Sequence, residues 1–362
     1  MSHQLATKKS PARTRPYRVV QWATGNIGTR ALRTVIEHPN MELVGLYVHS
    51  ESKVGRDAGE IAGVGRIGVT ATNDIDQVIA LRPDCALYMQ QGCNFDDICR
   101  LLSAGANIVT TRGEFHNPAA MDPGVRQRVE DACRRGNSSI HSTGSSPGFI
   151  TEALPIVLMS LQRRLDGLRI NEFADLSTRN SPDLLFNVMG FGRPLGSIEE
   201  GRLHHFRESF GPSLQLLASA LGLPLDSIEA SGGFAAARRT TRVAAGVIEA
   251  GTVAAQQTTV TGVRAGKTLV TFTASWYVTK DIDAAWDLRP SGWRVLVEGD
   301  TPLDVSIGFP IAPELYAAMT PGLTAHRAVN AVPVVCEAPP GIRTTVDLPQ
   351  VVANLGERFA HR

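Results

Sequence analysis

Two short stretches hold residue types whose spacing could do chemistry. The first is Ala23-Thr24-Gly25-Asn26-Ile27-Gly28, directly after the apolar pair Val19 and Val20 and before a segment of helical composition, Thr29 to Glu37. Gly25 has no side chain, so a pyrophosphate could approach the backbone. Gly28 would let a helix pack closely on the preceding strand, and the N-terminus of that helix offers N–H groups to an anion. Alanine stands at position 23, where such fingerprints usually begin with glycine; the alternative is an ordinary βα turn. The second stretch is Thr110-Thr-Arg-Gly-Glu-Phe-His-Asn-Pro118. A carboxylate at Glu114, partly desolvated beside Phe115, would have its pKa raised towards neutrality and could exchange protons with a substrate. The plain alternative is a solvated loop glutamate paired with Arg112. His116 is the rival acid/base, with an ordinary pKa of ~6.5, set against a structural role next to Asn-Pro.

Elements that alternate in type must position these residues. Apolar runs at 19–22, 41–49, 84–89, 107–111 and 138–141 read as buried strands, separated by helical stretches at 29–37, 75–81, 95–104 and 122–136. That rhythm predicts a doubly wound parallel α/β sheet, in which ligands bind outside the carboxyl ends of the strands. Loops 23–28, 49–56, 90–95, 112–118 and 142–149 then converge on one crevice. An NAD site usually places an acidic residue at the end of the second strand. Here the chain reads His49-Ser50-Glu51-Ser52-Lys53, with Arg56 beyond. Hydroxyls and cations suit a 2′-phosphate, so NADP(H) is the expected cofactor, with Glu51 leaving room for NAD(H). Gln91 and Thr143 join His49, Ser50 and Lys53 as expected cofactor contacts, and Ser142 to Gly148 could bond the nicotinamide carboxamide or serve as a domain hinge.

After Gly148 the pattern changes. A helix is expected over 149–165, a strand over 168–176 and a helix over 204–221. Alternating runs from 240 to 309 then predict a mixed or antiparallel sheet with one more open face. A last helix over 323–335 suggests a return to the first domain. The expected division is a disordered tail (1–16), a dinucleotide-binding domain (17–148), an α+β substrate and dimerisation domain (149–320) and a C-terminal segment (321–362).

Composition excludes several classes. A net charge of +1 over 362 residues gives no reason to expect nucleic acid or an acidic membrane surface. No uncharged apolar run is long enough for a membrane span. Five scattered cysteines, with no C-x-x-C pair, suit reduced thiols in the cytoplasm. No His/Cys/Asp cluster has metal-ligand spacing, and His204 and His205, adjacent on a helix, cannot share a ligand. His141 reads as a turn cap. Arg169 and Asn171 share one strand face and Glu172 the other.

Taken in order, Ala23-Thr-Gly-Asn-Ile-Gly28, Val48-His-Ser-x-x-Lys-Val-Gly55, Gly113-Glu-Phe115, Gly144-x-x-Pro-Gly-Phe149 and Asn330-Ala-Val-Pro-x-Val335 resemble one family. It is the dihydrodipicolinate-reductase-like group that contains 2,4-diaminopentanoate dehydrogenase and the native amine dehydrogenases. The resemblance implies a Rossmann domain joined to a sheet-containing domain that forms a homodimer. It also implies reductive amination of a ketone or aldehyde with ammonia, or the reverse deamination of an amine. Glu114 would be the catalytic glutamate, and Phe149 and Asn171 would lie near the substrate pocket. The segment Glu172-Phe-Ala-Asp-Leu-Ser-Thr-Arg179 lacks the His-His and lysine features of true dihydrodipicolinate reductases. Two other readings stay open: a carbonyl or keto-acid reductase on the same scaffold, and a non-catalytic NADP(H) sensor.

Overall fold

The computed structural model describes residues 15–356. The tail expected over residues 1–16 lies outside them for residues 1–14. The chain opens with β1 (Tyr17–Trp22), α1 (Asn26–Glu37), β2 (Met41–Tyr47), α2 (Ala58–Ala62), β3 (Ala71–Thr72), α3 (Ile75–Ala80) and β4 (Cys85–Tyr88). It continues through α4 (Phe95–Ser103), β5 (Asn107–Thr110), α5 (Pro123–Gly136), β6 (Ser139–Ser142) and the short α6 (Leu154–Met159). A second group follows: β7 (Leu165–Asp175), α7 (Glu200–Ala220), β8 (Ser227–Ala236), β9 (Thr241–Val243), β10 (Gly246–Ile248), β11 (Val253–Arg264), β12 (Lys267–Tyr277), β13 (Gly292–Gly299) and β14 (Leu303–Gly308). Helix α8 (Tyr316–Cys336) and strand β15 (Gly341–Arg343) then return to the first sheet.

That first sheet is parallel throughout, in the order β15-β6-β5-β4-β1-β2-β3. Both faces are covered, which is why its strands read as continuous apolar runs. Val19, Leu43, Leu87 and Val109 pack with Ala31 and Leu32 of α1 and with Ala325, Val329 and Val332 of α8. Their neighbours Val20, Ala86 and Ile108 point the other way, onto Val78, Ile98, Leu101 and Val129.

The second sheet runs β14-β13-β7-β12-β11-β8 and is antiparallel except where β7 meets β12. Ile170, Val260 and Phe272 bury one face against Phe206, Phe210 and Leu214 of α7. The other face is polar: Thr259 and Thr273 hydroxyls meet at 3.0 Å, and Gln257 Nε2 donates to Ser275 Oγ at 2.9 Å.

Several elements differ from the sequence reading. The helix expected over 149–165 is short and broken: residues 145–153 wind irregularly around Gly148 at φ +118°, and regular helix covers only Leu154–Met159. Leu165 already belongs to β7. Strands β8 and β15 were not expected, and α8 begins seven residues before the expected 323, at Tyr316.

Candidate active site

The glycine turn is built as its sequence implies. Ala23 holds φ +71°, a left-handed conformation that glycine adopts freely and alanine only at some cost. Its carbonyl accepts from buried Gln21 Nε2 at 2.9 Å. A Cβ on Gly28 would lie 2.3 Å from that same carbonyl oxygen, so only glycine lets α1 sit this close to the turn. A Cβ on Gly25 would meet nothing within 4 Å. The helix starts at Asn26 with no side-chain cap and no acidic residue in its first turn, which suits an anion at its N–H groups. Asn26 is exposed and Ile27 half-buried beside it.

The end of β2 reaches this turn. Lys53 Nζ donates to Thr24 Oγ1 at 2.8 Å and to the Thr24 carbonyl at 3.2 Å. His49 and Ser50 are exposed beside it, and Ser50 Oγ pairs with Ser52 Oγ at 2.8 Å. Glu51 faces elsewhere, accepting from Asn73 Nδ2 at 2.9 Å. In the loop after β4 it is Gln90, rather than Gln91, that enters the cluster: its Oε1 accepts from both His49 Nε2 and Trp22 Nε1 at 2.8 Å. Gln91 is exposed. The two residues alternate sides as the chain leaves the strand, so the sequence neighbour takes the contact.

Glu114 stands in a short 3-10 turn just past β5. Its Oε1 accepts from Arg112 Nη2 at 3.1 Å, while its Oε2 is buried without a hydrogen-bond partner among the described residues. The ion pair with Arg112, set out above as the plain alternative, is therefore present. Phe115 turns away into the core against Phe95. Burial, followed by the neighbouring Glu114 carboxylate, pushes the Cys93 thiol up to about 12. A cavity of about 390 Å³ opens here between Arg112, Glu114, Phe95 and Met121 and the α7 residues His205 and Pro212.

A larger cavity, about 530 Å³, lies between the glycine turn and the second sheet. Ile27, Ser145 and Ser146 border it on one side, with Trp276, Trp293, Phe309 and Tyr316 on the other. Ser146 Oγ is buried without a hydrogen-bond partner among the described residues. Thr143 is buried instead, 1 % exposed, with its hydroxyl accepting from Arg327 Nε at 3.4 Å. Phe149 backs the cavity wall, its ring 6.4 Å from that of Trp293. Asn171 does not line the cavity; Glu172 does. Successive strand residues point to opposite faces, and the cavity lies on the Glu172 side. Trp276 Nε1 donates to Glu172 Oε1 at 3.3 Å and Trp293 Nε1 to Glu172 Oε2 at 3.0 Å.

The histidines serve the framework. His116 is 1 % exposed and its Nδ1 is 2.6 Å from Oε1 of the fully buried Glu152. Burial pushes the Glu152 carboxyl up, but His116 and the Thr345 and Ser213 hydroxyls outweigh it and hold it below the ordinary carboxylate value. This cluster joins the β5 loop, the broken helix, α7 and the C-terminal segment, so His116 is a buried tie rather than a solvent-facing acid/base. Burial also pushes His141 down to about 4. The neutral ring donates Nδ1–H to the Arg343 carbonyl at 2.7 Å, tying β6 to β15 instead of capping a turn. His204 and His205 are exposed, and no group of three metal-ligating side chains occurs among the described residues.

Comparisons with known proteins fit this architecture. Residues 19–89 match the family model for the N-terminus of dihydrodipicolinate reductase, and residues 191–361 match that for the 2,4-diaminopentanoate dehydrogenase C-terminal domain. A 4-hydroxy-tetrahydrodipicolinate reductase of Synechococcus elongatus is 28% identical over 102 residues, 26% of this chain and 37% of that protein. The structure of an amine dehydrogenase from Mycobacterium smegmatis shares the fold, with a TM-score of 0.73 at 22% identity, covering 93% of this chain and 97% of that one. An amine dehydrogenase of Streptomyces virginiae is 30% identical over 354 residues, 94% of this chain and 98% of that protein. Likeness of that extent places the chain in the amine dehydrogenase family, oxidoreductases that act on CH–NH2 groups.

Proposed function

We propose that this protein catalyses reductive amination of a ketone or aldehyde with ammonia, and the reverse deamination of an amine, with NADP(H) preferred over NAD(H). The observation that carries this reading is the near full-length likeness to the Streptomyces virginiae amine dehydrogenase. The residues present fit a dinucleotide. Space over Gly25, the uncapped start of α1 and the unpartnered Ser146 hydroxyl would hold the pyrophosphate and the nicotinamide end. Lys53, Ser50 and His49 would meet the ribose end, and because Glu51 is turned to Asn73, no acidic group opposes a 2′-phosphate there. When bound, the nicotinamide would supply or accept the hydride.

The protein's own work is proton transfer and exclusion of water. Glu114 Oε2, buried and bonded to no nitrogen or oxygen donor among the described residues, is available to take a proton from ammonium as nitrogen adds to the carbonyl. The same carboxyl returns a proton to the departing hydroxyl, so that water leaves and an iminium forms. Arg112, bonded to Oε1, fixes the carboxylate so that this second oxygen does the exchange. The aromatic walls of the larger cavity keep bulk water from the carbinolamine, whose dehydration it would oppose. The polar outer face of the second sheet is the surface through which we propose that two copies pair.

The test is oxidation of NADPH and of NADH against a panel of ketones and aldehydes, each with and without ammonium. Consumption that requires ammonium and is faster with NADPH is expected. Equal consumption without ammonium would make the protein a carbonyl reductase.

A further inference from the structure

The larger cavity contains a carboxylate that the mechanism above does not use. Glu172 projects from β7 with each oxygen held by a different indole, Trp276 Nε1 at 3.3 Å and Trp293 Nε1 at 3.0 Å. Two neutral N–H donors orient a carboxylate without cancelling its charge. Among the described residues no lysine, arginine or histidine pairs with it. Arg179 also borders the cavity, but without contact to Glu172, and Asp175 beside it adds a second negative charge. Each Glu172 oxygen keeps a lone pair beyond its indole bond. Trp276, Trp293, Phe309 and Tyr316 are among the residues that line the cavity, and aromatic rings attract a desolvated cation. An anion oriented by its surroundings, without an ion-pair partner among the described residues and bordered by aromatic groups, is complementary to an organic ammonium ion.

We infer that Glu172 is the ammonium receptor of the substrate cavity: it docks the amine as its cation, while Glu114, which lines the smaller cavity, handles the proton. This rests on the amine reading above, but it assigns the binding and the proton transfer to different carboxylates. Glu172 is on this view a specificity-determining residue. Its two indole bonds set the direction from which an ammonium group is accepted.

The experiment is calorimetric titration of the full-length protein, with and without NADPH, which cannot oxidise an amine or an alcohol, using three probes of one shape: cyclohexylammonium, cyclohexanol and cyclohexanecarboxylate. Wild type is expected to bind them in that order, the ammonium about tenfold or more tighter than the alcohol. Glu172→Gln should bring ammonium and alcohol to nearly equal affinity, whereas Glu114→Gln should leave the preference in place. Three outcomes overturn the assignment: a preference that survives Glu172→Gln, one that is erased by Glu114→Gln, or equal weakening of both probes in Glu172→Gln. The last would mean that Glu172 only knits the two tryptophans together. Should Glu172→Gln not fold, Asp175→Asn keeps the assignment open to refutation: it should leave the ammonium preference in place, and its loss there would overturn the assignment, as would a carboxylate bound best by wild type, which would make Arg179 the governing charge. Binding is read without turnover. An ammonium preference intact in a protein with no ammonium-dependent activity would therefore sink the reaction and spare the site.

Discussion

Substituting the two glycines of the cofactor turn should produce opposite failures, and the structure sets the size of each. In Gly28→Ala the new methyl would stand 2.3 Å from the Ala23 carbonyl oxygen and 3.1 Å from Gln21 Nε2. Neither neighbour is a flexible side-chain end that can swing away. The carbonyl is main chain, and the amide is fully buried and also bonded to the Trp22 carbonyl at 3.2 Å. The helix must lift from the turn, and overpacking of this kind costs about 1–3 kcal/mol. Breaking the 2.9 Å bond from Gln21 to Ala23 would leave a buried polar group unpaired, adding about 1–3 kcal/mol. The expected loss is therefore about 2–6 kcal/mol of unfolding free energy, summed from those two costs. In Gly25→Ala the methyl meets nothing within 4 Å and the backbone, at φ −72°, accepts alanine. Stability should stay within about 0.5 kcal/mol of wild type, while a methyl in the path of the pyrophosphate weakens NADPH by about tenfold or more. Urea unfolding and a nicotinamide-fluorescence titration on both variants measure the two effects. A Gly28→Ala protein of unchanged stability would refute the packing argument. Unchanged NADPH affinity in Gly25→Ala would refute the placement of the cofactor.

Glu114→Gln should bind NADPH normally and lose roughly 10²–10⁴-fold in ammonium-dependent turnover, the usual contribution of a positioned acid/base; near-full activity would remove it from the mechanism. Lys53→Met should weaken NADPH more than NADH, by about tenfold for loss of a charged hydrogen bond, and parallel losses would assign Lys53 to the glycine turn alone. The protein should be acid-labile for two reasons of the same sign. The folded-state pKa of Glu152 is held below its ordinary value, so its contribution is complete above that value and is lost as pH falls through the depressed one. His141 falls from 6.5 to about 4 on folding, so the unfolded chain takes up a proton first and stability declines as pH drops from about 6.5. Urea midpoints measured between neutral pH and pH 4 should fall steadily, and His141→Asn should flatten the upper part of that slope.

The first sheet could be read from the sequence because its strands are buried on both faces and its turn chemistry is local: Val19, Val20, Gly25 and Gly28 lie within ten residues. The elements missed have no such local signal. Strand β8 reads Ser-Ile-Glu-Ala-Ser-Gly-Gly-Phe-Ala-Ala, polar and glycine-rich because it is a sheet edge. Three-residue β15 has no periodicity to detect, and the expected helix over 149–165 fails where Gly148 takes a positive φ. The site divides the same way. Glu114 and Lys53 could be located from strand ends, whereas Glu172 has meaning only through Trp276 and Trp293, which are 104 and 121 residues away. Asn171 and Glu172, like Gln91 and Gln90, differ by one residue in register, the step that turns a side chain to the opposite face, and the structure places Glu172 in the cavity lining and Gln90 against His49.

Strand β15 gives the molecule an awkward birth. The sheet that begins with Tyr17 is completed at its edge by Gly341–Arg343, and Tyr17 Oη donates to Glu337 Oε1 at 2.6 Å, so the first strand made is tied to nearly the last residues. During synthesis the whole second sheet leaves the ribosome while Val19, Leu87 and Val109 still await the helix that covers them. Domains tend to fold as they emerge, but here the earlier one must wait for the later. The nascent chain carries an apolar face that α1 covers only in part through most of its elongation, and a fragment ending at the domain junction would keep the rest of that face uncovered. A chain cut short before Tyr316 would thus leave the first sheet without both the helix that covers it and the strand that completes its edge.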